Sequence, residues 1–123
     1  MKIMRNPSAA IGIEPLSGKI RILASPSVTG PRPAYVGACT TLAISPTELI
    51  ITALAGQGIS RAHLRLIAAW AREAGYRWIY AERLPGHTLP LARRRTARPL
   101  DGWFEIDLEQ LPSAIAGEDA DHA

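Results

Sequence analysis

Residues 56–82 read GQGISRAHLRLIAAWAREAGYRWIYAE, and the parsing of this stretch decides the fold. Two glycines open it, Ser60 is placed to cap, and apolar side chains then recur at helical spacing. At 100° per residue, His63, Ile67, Trp70 and Ala74 fall in one narrow sector flanked by Leu66. Arg61, Arg65 and Arg72 share the opposite side. Gly75 predicts the helix stop, and Arg77–Glu82, aromatic and β-branched, predicts a strand. A helix over 60–75 is too short to be stable alone, so its Ile67–Trp70 face is expected to lie on a sheet.

Working outward, Glu48–Leu54 (ELIITAL) carries two signals. Ser45-Pro46-Thr47-Glu48 resembles a helix start, whereas Ile50-Ile51-Thr52 is a β-branched run that loses rotamer freedom in a helix. The run favours a strand joined to Ala34–Ser45 by a tight turn at Pro46-Thr47. Further back, Ala10–Ile13 and Lys19–Leu23 read as two strands about a turn, the second alternating Lys19 and Arg21 with Ile20 and Ile22. Ser25–Pro33 is a proline-rich loop. Beyond the helix, Thr88–Ala92 reads as an edge strand, Arg93–Pro99 as a basic loop, and Trp103–Leu108 as a final strand with one wet face. The class is therefore α+β: a mostly antiparallel mixed β-sheet with one principal amphipathic helix packed on one face.

The chain has 123 residues, 47% of them hydrophobic and 20% charged, which fits a single domain over 1–123. Its ends, about 1–9 and 117–123, are expected to be loosely held. No apolar run approaches a membrane span, and the opening residues lack the sustained apolar core of a signal peptide, so a cytoplasmic location without a membrane partner is expected. The lone cysteine, Cys39, cannot form an internal disulfide and reads as a small buried hydrophobe. Charge is split. Residues 1–100 hold all 14 Lys and Arg against four acids, a net +10, and residues 101–123 hold seven acids and no base, a net −7. Such a division suits an anionic partner or a tail that folds back on a basic surface.

Three functional readings follow. Ala55-Gly56-Gln57-Gly58-Ile59-Ser60 resembles the acyl-CoA pyrophosphate loop of the GNAT N-acetyltransferases, a family in which an antiparallel meander leads into a strand, a glycine loop, a helix and a further strand. That resemblance implies acyl-CoA as cofactor, held by the backbone of Gly56, Gln57, Gly58, Ile59 and Ser60. Within the family pattern Gly58 matches, while Ala55 and Ser60 replace its usual first and last residues, so the glycines also read as a plain strand–turn–helix connection. Arg93, Arg94, Arg95 and Arg98 form a basic segment suited to nucleic-acid phosphates, with Trp78, Tyr80 and Trp103 as stacking faces. The absence of a complete catalytic or metal-ligand set in the sequence leads the reading toward an accessory or interaction protein with a protein partner, no catalysis of its own and no cofactor; a homo-oligomer is compatible with it. Ile11–Gly18 also resembles the opening hairpin of RuvC/RNase H-like nucleases, which would make Glu14 and Glu82 metal-holding carboxylates. His63 reads as a hydrogen-bonded core residue and His87 as an exposed turn residue.

Overall fold

The computed structural model describes residues 1–14, 16–30, 32–56, 58–82, 93–94 (backbone) and 103–110. Among them the strands are β1 (Lys2–Asn6), β2 (Ala9–Glu14), β3 (Lys19–Leu23), β4 (Tyr35–Ser45), β5 (Glu48–Gly56), β6 (Trp78–Ala81), β7 (Arg93–Arg94) and β8 (Phe104–Asp107). They form one mixed sheet in the order β1-β2-β3-β4-β5-β6-β8-β7. Every ladder is antiparallel except β5–β6. The helix α1 (Arg61–Glu73) supplies the crossover that a parallel pair requires. The fold is thus α+β, with one principal helix. No helix among the described residues is long and apolar enough to cross a membrane.

The ambiguous segment resolves as strand. β5 is held by β4 on one side and β6 on the other, so its β-branched run satisfies two ladders that a helix would forfeit. Pro46 and Thr47 make the turn, with the Thr47 amide donating to Ser45 Oγ at 3.2 Å. The amides of Arg77 and Trp78 both donate to the Thr47 carbonyl, at 2.9 and 3.0 Å, which sets the start of β6 beside the start of β5.

Helix α1 ends as its glycine demands. Gly75 adopts φ +98°, its amide reaches Arg72 O at 3.1 Å, and the Tyr76 amide reaches Ala71 O at 3.0 Å. This pair of bonds is a Schellman stop. The helix lies over β1 and β2. Leu64, Ile67, Ala68 and Ala71 meet Ile11, Ile13, Ile20, Ile22, Leu49, Ile51, Ile79 and Ile106, all on the same face of their strands. Each fully buried aliphatic side chain here is worth about 1.5–3 kcal/mol. Cys39 joins this core, and burial pushes its thiol up to about 12, so it behaves as an inert hydrophobe as expected.

Three expectations are corrected. The first residues do not hang loosely: Lys2–Asn6 pairs with β2 along its length, and buried Asn6 donates to the Ala62 carbonyl at 3.3 Å. The helix buries a wider face than the predicted sector, since Leu64, Ala68 and Ala71 are inside while Trp70 is only partly covered, against Tyr76. Arg93 and Arg94 are strand rather than loop, because β8 offers them a ladder at Glu105 and Phe104. The expected edge strand at 88–92, the tail from 117, His87, His122, Gln57, Arg95 and Arg98 lie outside the described residues.

Candidate functional site

β6 pairs with β5 over its whole length, and β5 runs on beyond it. Their ladder spans Glu48↔Trp78 to Ile51↔Ala81, and β5 then continues to Gly56 while β6 ends. Beyond that ladder β5 is irregular against β4. Ala38 pairs with Ala55 and Thr40 with Thr52, so β5 carries an extra residue opposite β4. Ala53 absorbs it at φ +57°. A bulge bends its strand and increases local twist, and alanine in the left-handed region carries a strain of about 1–2 kcal/mol. Beside this stretch is an open cleft of about 290 Å³ lined by Ile51, Thr52, Ala53, Leu54, Ala55 and Glu82. Below it, Leu54 packs against the core.

The stretch beyond the bulge is clamped where Gly56 meets Gly37 of β4. Gly56, at φ +146°, lies so close to β4 that a Cβ would stand 2.5 Å from both Gly37 Cα and Val36 O. Gly58 is different: it has φ +76° and nothing within 4 Å of where a Cβ would be. The chain therefore leaves β5 tightly, turns in the open, and enters α1 at Ser60.

At the helix start Ser60 is extended, with φ −122° and ψ 172°. Its amide donates to His63 Nδ1 at 3.0 Å, and its hydroxyl lies 2.9 Å from the same nitrogen. Histidine thus occupies the reciprocal place that Glu or Gln takes in a capping box. The other side of the ring has a hydrogen bond with the Leu23 backbone, and burial holds its pKa below the ordinary value. Neutral imidazole is the form that can accept at Nδ1. Acidification should consequently destabilise the fold through His63. Its stabilising share is complete above the unfolded value, about 6.5, and is lost as pH falls from there toward the lowered folded value. Melting temperatures measured between pH 7.5 and 5 should show a steeper decline for the parent than for His63→Gln, whose amide oxygen accepts without titrating. Parallel declines would remove His63 as the cause.

The four described residues of those singled out for an anion cradle do different things. Gly56 is packed on β4, the Ser60 amide serves its own helix, and Ile59 is partly buried against the core. Gly58 stands in the open, and the amides of Arg61 and Ala62 begin the helix without intrahelical acceptors. No acid lies in the first helical turn, so the positive end of the dipole is uncompensated from within.

The other candidates separate. Tyr80 is buried and donates to Glu48 Oε2 at 2.7 Å, which withdraws it as a stacking face. Trp78 is half-buried beneath the Arg77 guanidinium, 5.2 Å from its ring centre. Glu14 and Glu82 do not meet: Glu82 borders the cleft, whereas Glu14 pairs with Arg21 beside Tyr35. Among the described residues no three His, Cys, Asp or Glu side chains converge on a metal position. Neither the bulge at Ala53 nor the Arg21–Tyr35 pairing is marked in the sequence. The chain matches no family model, no curated protein and no solved structure.

Proposed function

We propose that the chain binds an acyl-CoA in the opening between β5 and β6, as a GNAT-like protein. The observation that carries this reading is that β5 runs on past its parallel ladder with β6, borders an open cleft, and leads through a glycine turn into a helix N-terminus. The element order supports it as well: an antiparallel meander, a strand, a glycine loop, a helix and a further strand. Each part of the ligand then has a counterpart. Helix-start amides and the dipole of α1, with exposed Arg61 beside them, suit a pyrophosphate. The β5 backbone from Thr52 to Ala55 lies past the end of the β6 ladder, and a pantetheine arm, with its two amides, can lie along it as an added strand. Leu54 and Ile51 offer an apolar seat at the cleft floor.

A second reading, an interaction protein without catalysis, draws on a different observation: Tyr35, Val36, Leu42 and Ile44 of β4 are exposed. One pair of measurements separates the two. With millimolar acetyl-CoA the melting temperature should rise by several degrees, since a ligand at 100 times its Kd adds about 2.7 kcal/mol. A flat response at saturating acetyl-CoA would sink the first reading. A change of elution volume on Leu42→Glu would then favour the second, and an unchanged volume would count against it.

A further inference from the structure

On the sheet face opposite α1, away from the cleft, β2 and β3 build a second concavity. Ile20 and Ile22 point into the core, so Arg21 between them points out the other way. Two neighbours fix its guanidinium. Glu14 takes Nε at 2.5 Å, and Glu14 is itself held by the Ser17 hydroxyl at 3.2 Å. The Tyr35 ring lies against the guanidinium, 4.5 Å from centroid to Cζ. Opposite Arg21 on β2 is Gly12, over which the Met1 thioether is folded so closely that a Cβ would stand 2.4 Å from Sδ. Arg32 and Pro33, from the loop before β4, complete a cavity of about 280 Å³.

From this arrangement we infer that the Arg21 cavity is a binding site for a small carboxylate with a flat apolar body. Glu14 takes Nε, and Tyr35 covers one face and also hydrogen-bonds the side chain, so a carboxylate would meet the guanidinium N–H groups left over, whose planar geometry suits it. Among the described residues Glu14 is the carboxylate paired with Arg21, and none pairs with Arg32. Among the described lining side chains, Arg21 and Arg32 outnumber Glu14, which favours an anion. Met1, Pro33 and Tyr35 form walls that suit an aromatic ring better than a solvated chain. The site shares no lining residue with the β5–β6 cleft, so it stands whether or not acyl-CoA binds there.

The test is an amide-resolved NMR titration of the whole chain with sodium benzoate, with benzyl alcohol as the uncharged control. Benzoate should give saturable shifts at Gly12, Arg21 and Tyr35, and benzyl alcohol none. Arg21→Lys keeps the charge but loses the planar guanidinium, and should raise the benzoate Kd tenfold or more. Arg32→Ala, on an exposed loop, should raise it about threefold with an unchanged spectrum elsewhere, and it decides the matter if Arg21→Lys does not fold. Equal shifts with benzyl alcohol, no saturation with benzoate, or an unchanged Kd in the folded variants would overturn the assignment.

Discussion

Replacing Gly56 by alanine should remove at least about 3 kcal/mol of stability, whereas Gly58→Ala should remove only about 1–2 kcal/mol. Both positions have positive φ, +146° and +76°, so both pay a conformational penalty for a Cβ. They differ in what that Cβ meets. At Gly58 there is nothing within 4 Å. At Gly56 it would overlap Gly37 Cα and the Val36 carbonyl, both backbone atoms of the neighbouring strand that cannot swing aside. Forcing a methyl group into a packed contact adds about 1–3 kcal/mol to the strain. For a domain whose whole stability is of the order of 5–15 kcal/mol, such a loss is large. Urea denaturation of the two variants beside the parent gives the comparison directly. Equal midpoints would mean that β4 and β5 part without cost beyond the bulge, and the cleft would lose the clamp that shapes it.

The glycine contrast also shows where reading the sequence succeeds and where it stops. The strand–turn–helix–strand unit was legible because each step has a local chemical cause: Ile50-Ile51-Thr52 for β5, Ser60 for the cap, Gly75 for the stop. The fold class followed from that unit. What escaped depends on partners distant in sequence. Lys2–Asn6 has neither alternation nor a run of strand formers, and it becomes a strand because β2 offers a ladder. The bulge falls on Ala53, a residue with no preference for positive φ, so nothing in the text ELIITALAG marks it. Arg21 and Tyr35 meet only because β3 and β4 pair across the intervening loop. Gly56, Gly58 and Ser60 were legible as a turn into the helix but not in their separate roles, which depend on the approach of β4 to Gly56 and of His63 to Ser60.

Ile67→Ala should be the most damaging change on the helix, at about 2–5 kcal/mol, and more harmful than Trp70→Ala despite tryptophan's size. Ile67 is 3% exposed and sits in the core that α1 shares with the sheet. Truncating it removes three buried carbons and leaves a void that strands on one side and helix on the other cannot collapse to fill. Trp70 lies at the margin, partly covered and tilted against Tyr76 with ring centres 6.3 Å apart. Its truncation exposes surface that water can already reach, so the void term is small and the loss should stay nearer about 1–2 kcal/mol. Chemical denaturation of both variants, with slopes compared to confirm two-state unfolding, measures the difference. The reverse ranking would place Trp70 rather than Ile67 at the centre of the helix–sheet contact. Rotating α1 that far would also turn Leu64 away from Ile51, Ile79 and Ile106, the side chains with which it underlies the cleft.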